Sequence, residues 1–267
     1  MSAIDSLFDR LRNANRKALM PFVTAGDPDL QFTAEVIREL VARGSSICEV
    51  GIPYSDPIAD GPVIQASYTR SLAKKTKLAE ILETLGRLTS DVSAPIVTMV
   101  SYAIVYRHGL EQYIADAKAA GVAGAIVPDL PVEESGPLAE ICRREDFGLI
   151  QLVTPTTPRD RAVRIAEQTT GFIYYVSVTG ITGARTDLPQ ELIQELDNVR
   201  AAVKCPVAVG FGISTPEQVA NLAPHVDGVV VGSAIVQQVA QFSGPETIKQ
   251  IGDFVAGLKA PLRRSSP

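Results

Sequence analysis

Cysteine and histidine are scarce in this sequence, which excludes several kinds of site. The three cysteines, Cys48, Cys142 and Cys205, lie far apart without C-x-x-C spacing. Neither a disulfide framework nor a zinc site is therefore expected, and each cysteine is predicted to be a small buried apolar residue. The two histidines, His108 and His225, are far apart in the sequence and are expected at the surface rather than in a metal site.

Long apolar runs and basic runs are also missing. No stretch approaches the ~18 consecutive apolar residues of a membrane span, and the acid-containing N-terminus has no apolar core of signal-peptide length. The net charge is −5, and no basic run offers a surface that could follow a phosphate backbone. We therefore expect a cytoplasmic protein that binds neither nucleic acid nor membrane.

A pattern of apolar run, loop and amphipathic helix repeats eight times. The predicted strands cover residues 19–24, 46–50, 95–101, 124–127, 149–153, 172–177, 206–210 and 227–231. They are continuously apolar, as in parallel sheets that are covered on both faces. Eight such units predict one α/β domain over residues 1–267, a (β/α)8 TIM barrel. An open doubly wound sheet is the alternative, although no G-x-G-x-x-G follows the first strand.

Several helix signals accompany this repeat. An extra N-terminal helix is predicted by the helical spacing of Ile4, Leu7, Phe8 and Leu11. A short extra helix is expected after the eighth strand, beyond Gly232-Ser233-Ala234. Thr215 and Gln218 form a capping box, and Thr157 followed by Pro158 signals another helix start.

Three acids lie in and after the second predicted strand. Strand alternation places Glu49 on the same face as Ile47, while Asp56 and Asp60 lie in the following proline-rich loop, and we expect the three acids to lie over one pocket. Burial without a partner would raise the pKa of Glu49, which suits a group that gives and takes a proton near neutral pH. The alternative is a strand-end glutamate that faces solvent or forms a salt bridge.

Glycine-containing loops follow the seventh and eighth predicted strands. The first runs from Gly210 through Phe211 and Gly212, and the second contains Gly232 and Ser233. Barrels commonly bind phosphate at these two positions, where glycine lets an anion approach the backbone. Either loop alone could be an ordinary turn. The loop from Gly180 to Asp187 is a third candidate and a possible lid.

A phosphorylated substrate in a barrel often undergoes carbon–carbon chemistry, which requires an electron sink. No lysine falls at a strand end to form a Schiff base, and no histidine cluster is available for a metal. If a carbon–carbon bond is cleaved, the substrate itself must accept the electrons while carboxylates move protons. Phe22 and Tyr174 near the expected pocket would suit an aromatic ring.

Five motifs spread over nearly the whole chain resemble the tryptophan synthase alpha chain family. They are P-F-V-T-A-G-D-P, G-I-P-Y-S-D-P-I-A-D-G-P-V-I-Q, V-P-D-L-P-V-E-E, V-S-V-T-G-I-T-G-A, and G-F-G-I-S before V-V-V-G-S-A. The second motif is highly specific, whereas the glycine motifs recur in other phosphate-binding barrels. The resemblance implies a lyase that cleaves indole-3-glycerol phosphate to indole and glyceraldehyde 3-phosphate.

The resemblance also implies roles for single residues. Glu49 matches the general acid/base that protonates the indole ring, and Asp60 matches the acceptor of the ring N–H. Thr182 matches a lid threonine that braces the catalytic aspartate. Pocket and phosphate contacts are matched by Phe22, Tyr174, Gly183, Gly212, Gly232 and Ser233.

The family works as an alpha2-beta2 tetramer in tryptophan biosynthesis. The alpha chain has no cofactor, and a PLP-dependent beta chain receives the indole through a tunnel. The loop around Asp56 matches the surface that meets the beta chain. In the segment from Ser101 to His108 this chain has Ile104 where the family commonly has an asparagine. That departure concerns partner geometry and activation rather than the chemistry.

Two alternative functions remain open from the sequence. The altered loop after the third predicted strand, from Ser101 to His108, is the one feature that favours a stand-alone lyase releasing free indole. A non-catalytic regulatory barrel that only binds phosphate is the other alternative. The presence of both Glu49 and Asp60 argues against it.

Overall fold

Eight short apolar segments form a closed parallel barrel. The computed structural model describes residues 2–57, 60–177, 189–210, 212–241 and 244–262. The strands are β1 (Ala18–Thr24), β2 (Cys48–Gly51), β3 (Ile96–Met99), β4 (Val122–Ile126), β5 (Gly148–Val153), β6 (Ile173–Val176), β7 (Val207–Gly210) and β8 (Gly228–Val231). They pair in chain order and β8 pairs with β1. The barrel is therefore confirmed and the open sheet is excluded.

Within the described part of the chain, twelve α-helices accompany the strands. They are α1 (Ala3–Asn13), α2 (Leu30–Ala42), α3 (Pro62–Ala73), α4 (Leu78–Thr89), α5 (Tyr102–His108), α6 (Leu110–Ala119), α7 (Gly136–Arg144), α8 (Arg159–Gln168), α9 (Gln190–Ala202), α10 (Pro216–Leu222), α11 (Ser233–Gln241) and α12 (Pro245–Lys259). A 3₁₀ turn follows at Ala260–Leu262. The extra helices predicted before β1 and after β8 are confirmed as α1 and α11. None of the described helices is both long and apolar enough to cross a membrane.

Two details of the helices differ from the prediction. The segment from Ser101 to His108, predicted as a loop, contains α5, and the Ser101 side chain caps it by accepting from the Ala103 N–H. Thr157 does not cap α8, because its hydroxyl accepts from the Thr154 N–H instead. The capping box that begins α10 at Thr215 is confirmed.

The apolar side chains form two layers, as strand alternation requires. Ile47 and Phe22 belong to the cluster inside the barrel, whereas Cys48 and Val50 belong to the cluster between strands and helices. Glu49 is on the inner side because it has the same parity as Ile47. The inward placement of this carboxylate therefore follows from the sequence period alone.

The N-terminal helix closes the amino end of the barrel. Ile4 of α1 is fully buried, and a Cβ added at Gly148 would lie 2.6 Å from its Cδ1. Phe8 packs against Phe172 with ring centroids 5.6 Å apart. Because large side chains fill this end, the space for a ligand lies at the carboxyl ends of the strands.

The cysteines are at least partly buried, and the histidines pair with carboxylates. Cys48 and Cys142 are buried, as predicted, whereas Cys205 is only partly buried. His108 and His225 each pair with a partly exposed carboxylate.

Candidate active site

A cavity of about 680 Å³ lies among residues at the carboxyl ends of the strands and the loops that follow. Seven of the residues that the sequence assigns to the site line it: Phe22, Glu49, Asp60, Tyr174, Gly212, Gly232 and Ser233. Thr182, Gly183 and Phe211 lie outside the described residues, as does the predicted lid from Gly180 to Asp187. One cavity therefore gathers side chains from distant parts of the sequence.

Glu49 is buried at the wall of this cavity. It is 2 % exposed, pairs in register with Phe22 of β1, and its Oε1 has no hydrogen-bond partner among the described residues. Burial, and secondarily the charge of Asp60, raise the pKa of Glu49 to about 8. The alternative of a glutamate that faces solvent or forms a salt bridge is therefore wrong.

Asp60 lies in the loop between β2 and α3. The Tyr54 hydroxyl donates a hydrogen bond to Asp60 Oδ2 at 3.5 Å. Burial raises the pKa of Asp60 to about 6, although this hydrogen bond acts to lower it. The Gln65 side-chain amide holds the loop by donating to the Asp60 carbonyl at 2.8 Å and to the Pro57 carbonyl at 3.2 Å. Asp60 is thus positioned by the first turns of α3.

Asp56 does not join the other two acids. It is exposed, it does not line the cavity, and the Ser55 hydroxyl donates to its Oδ2 at 2.6 Å. The expectation that all three loop and strand acids lie over one pocket is wrong for this residue. The proline-rich loop turns only its second aspartate inward.

Two glycines make room for the aromatic side chains of the site. A Cβ at Gly51 would lie 2.5 Å from Cζ of Phe22 and 2.7 Å from the Tyr68 hydroxyl oxygen. A Cβ at Gly210 would lie 2.5 Å from the Tyr174 hydroxyl oxygen. The sequence alone suggested that Gly210 admits an anion. In the structure it accommodates a ring.

The loops predicted to bind phosphate lie at one end of the cavity. Gly212 has φ +71°, in the left-handed region that favours glycine, and it lines the cavity with Gly232 and Ser233. Helix α11 begins at Ser233. Because the first N–H groups of a helix lack intrahelical acceptors, this wall offers donors to an anion.

One side of the cavity was not recognised from the sequence as part of the site. It is formed by the loop after β4, by β5 and by the start of α8, and it includes Leu130, Pro131, Val132, Gln151, Thr154, Thr157, Arg161 and Ile165. The Arg161 guanidinium donates to both oxygens of Glu133 at 2.7 and 2.9 Å. The V-P-D-L-P-V-E-E motif includes part of this wall, but its residue types alone did not indicate a binding or catalytic role.

The loop after β4 is also tied to α5. Asp129 accepts from the Ser101 hydroxyl at 2.6 Å and from the Tyr102 N–H at 2.7 Å. These bonds connect the cavity wall to the segment that departs from the family pattern.

Three carboxyl groups of the described residues line the cavity, and Asp129 accepts hydrogen bonds from Ser101 and Tyr102. The other two, Glu49 and Asp60, are suited to different tasks. With a pKa of about 8, Glu49 holds a proton at neutral pH and can donate it, whereas Asp60, with a pKa of about 6, is mostly ionised and can accept a hydrogen bond. Among the described residues, no three His, Cys, Asp or Glu side chains group closely enough to hold a metal ion. The chemistry that the described side chains offer is proton transfer, beside a wall where a helix begins and exposes backbone N–H groups.

Comparison with known proteins assigns the family. A family model described as tryptophan synthase alpha chain matches residues 8–259. Tryptophan synthase alpha chains from Rhodopirellula baltica and Geobacter sp. strain M21 are 52 % and 45 % identical, covering 98 % and 100 % of this chain and 99 % and 100 % of their own.

Solved structures agree with these sequence matches. The alpha chain from Legionella pneumophila gives a TM-score of 0.89 at 30 % identity, over 98 % of this chain and 97 % of its own. A chain from a structure of the Pyrococcus furiosus tryptophan synthase a2b2 complex gives 0.86 at 40 % identity, over 91 % and 98 %. By its sequence, its barrel and the residues that line its cavity, this chain belongs to the tryptophan synthase alpha chain family.

Proposed function

We propose that this chain is the alpha subunit of a tryptophan synthase and cleaves indole-3-glycerol phosphate to indole and glyceraldehyde 3-phosphate. The observation that carries the proposal is that Glu49 and Asp60 line one cavity, where Glu49 is buried, its Oε1 has no partner among the described residues, and Asp60 is less buried. Family membership supplies the substrate, and the anion-binding wall at Gly212 and Ser233 fits its phosphate.

In the proposed reaction, neutral Glu49 donates its proton to the ring carbon of indole that carries the glycerol phosphate chain. The ring then bears positive charge that extends to its nitrogen, and the Asp60 carboxylate accepts a hydrogen bond from the ring N–H. The carbon–carbon bond breaks and its electron pair returns to the ring. The adjacent hydroxyl loses its proton to ionised Glu49 as its carbon becomes the aldehyde, so no external oxidant or reductant is needed.

The remaining described site residues hold the substrate. Phe22 and Tyr174 line the cavity beside Glu49 and would contact the indole ring. Gly232 and Ser233 would contact the phosphate at the start of α11. We also propose the lid role of Thr182 and the phosphate contact of Gly183, which rest on the family resemblance.

We further propose an alpha2-beta2 tetramer in the cytoplasm, with indole passed to a PLP-dependent beta chain. A relative of known structure is described as part of an a2b2 complex. In this chain the exposed face of α5, where Tyr106 is 71 % exposed, and the exposed Asp56 loop are the surfaces proposed to meet the partner. The alpha chain itself needs no cofactor in this scheme.

Indole release from indole-3-glycerol phosphate tests the proposal. The purified chain is measured alone and with a beta chain from the same organism. Weak release alone that rises sharply with the partner supports a coupled subunit. High release alone that the partner leaves unchanged supports the stand-alone lyase, for which the departure at Ile104 is the only observation. No release in either condition refutes the lyase assignment.

A further inference from the structure

Tyr68 is a buried tyrosine immediately behind the active-site wall. It lies on α3, its side chain is fully enclosed, and its hydroxyl has no hydrogen-bond partner among the described residues. A buried hydroxyl without a partner lowers stability, so folded proteins seldom retain one without a reason. Phenylalanine would fill nearly the same space without this penalty.

The position of the Tyr68 hydroxyl relates it to Glu49. The Tyr68 hydroxyl lies against Gly51, which leaves room for it because glycine has no side chain. Gly51 is two residues beyond Glu49 on β2 and therefore shares its inner face. Phe22, the other side chain at Gly51, is the register partner of Glu49. The hydroxyl and the carboxyl therefore adjoin the same small part of the barrel wall.

The Glu49 carboxyl group can accept a hydrogen bond, and the Tyr68 hydroxyl can donate one. In the part of the chain that the structure describes, Glu49 Oε1 is a buried oxygen without a partner, and the Tyr68 hydroxyl is a buried donor without an acceptor. Asp60 is the other carboxylate nearby, and its Oδ2 accepts a hydrogen bond from the Tyr54 hydroxyl. The ring of Tyr54 packs against that of Tyr68, with centroids 5.6 Å apart. Glu49 Oε1 is thus the buried carboxyl oxygen near Tyr68 that no described residue pairs.

The surroundings keep the Tyr68 hydroxyl protonated. The ionisable groups that act on it are Asp60, Tyr54, Glu49 and Tyr174, and burial together with these groups raises the pKa of Tyr68 well above its usual value. Strand β1 and helix α11, which pack against α3, contribute no ionisable side chain. Tyr68 can therefore act towards a carboxylate only as a hydrogen-bond donor.

We propose that Tyr68 is a positioning residue for the lyase reaction, whose hydroxyl donates a hydrogen bond to ionised Glu49, directly or through one water. The bond forms when Glu49 has given its proton to the indole ring, because hydrogen bonds to a carboxylate are stronger than those to a neutral carboxyl group. Glu49 is the group that moves, since it borders the cavity while Tyr68 is enclosed. This inference rests on the proposed function, in which Glu49 is the acid.

The substitution Tyr68→Phe tests the inference by kinetics in the presence of the beta chain. Losing the donor makes Glu49 a weaker acid, so kcat falls about tenfold or more with KM within twofold. The pH above which kcat/KM declines moves upward by about one unit, because the ionised form of Glu49 has lost a stabilising bond. The melting temperature does not fall, since the removed hydroxyl had no hydrogen bond to any described residue.

Tyr113→Phe is the matched control. Tyr113 is also fully buried, but its hydroxyl pairs with Thr98 at 2.8 Å outside the barrel, and neither residue lines the cavity. This variant keeps the kcat and the pH profile of the parent. If Tyr68→Phe matches it in both, or raises KM alone, Tyr68 only fills space and the inference is wrong.

A readout that does not depend on turnover separates this inference from the proposed function. The Glu49 carboxyl carbon is titrated by NMR with labelled glutamate, and its signal is assigned by its loss in Glu49→Gln. A higher Glu49 pKa in Tyr68→Phe supports the hydrogen bond even in a chain without lyase activity. An unchanged Glu49 pKa refutes it even if the lyase activity is demonstrated.

Discussion

The burial of Glu49 leads to a prediction about stability that is independent of catalysis. Replacing it by Gln keeps the shape of the side chain but removes the proton equilibrium. The folded chain holds the Glu49 proton up to a pH of about 8, whereas the ordinary pKa is 4.5. An unfolded chain therefore releases this proton first, and the parent loses stability as pH rises through that window.

The magnitude follows from the two pKa values. At pH 7 the difference between about 8 and 4.5 corresponds to a loss of about 3 kcal/mol in the free energy of unfolding. Below pH 4.5 both states hold the proton and the loss disappears. We therefore expect Glu49→Gln to be more stable than the parent by about 3 kcal/mol at pH 7, and roughly 6 °C or more in melting temperature.

The assay is the melting temperature of parent and variant from pH 5 to pH 8.5. Glu140→Gln is the control, because Glu140 is an exposed residue of α7 and its substitution should change the free energy of unfolding by less than about 0.5 kcal/mol at every pH. A Glu49→Gln gain that rises with pH supports the buried, neutral acid. A difference that does not vary with pH would refute the reasoning.

Three further predictions concern activity and packing. The kcat/KM for indole release should rise with pH near 6, as Asp60 ionises, and fall near 8, as Glu49 loses its proton; a flat profile between pH 5 and 9 would contradict both roles. Asp60→Asn should lower kcat/KM about 100-fold, since a charge-assisted hydrogen bond to the ring N–H is lost, and unchanged kinetics would remove Asp60 from the site. Gly51→Ala should lower the free energy of unfolding by about 1–3 kcal/mol in denaturant titrations, because its Cβ meets two aromatic side chains. The control Gly136→Ala, with open space around the added Cβ, should leave it nearly unchanged, and equal effects would refute the packing argument.

The sequence predicts the barrel well because its strands are buried on both faces. Each predicted run contains, or overlaps by several residues, the strand observed in the structure, as for 149–153 and β5. The inward placement of Glu49 follows from its parity with Ile47, and the raised pKa follows from that burial. These features depend on local periodicity, which a single sequence contains.

Features that depend on packing between distant segments are not predictable in the same way. Nothing in the sequence near Gly51 predicts that Tyr68 and Phe22 occupy the space where a Cβ of residue 51 would lie. The same holds for Gly210, where an added Cβ would meet the Tyr174 ring. Helix α5 was missed because only seven residues form it, too few for a helical period to show.

The most direct test of the proposed function is single-turnover cleavage of indole-3-glycerol phosphate by the parent chain and by Glu49→Gln, each with the beta chain bound. We predict rapid indole formation by the parent and none by the variant, which should still bind the phosphorylated substrate. Indole formation by Glu49→Gln at the parental rate would contradict the assignment of Glu49 as the acid that starts the reaction.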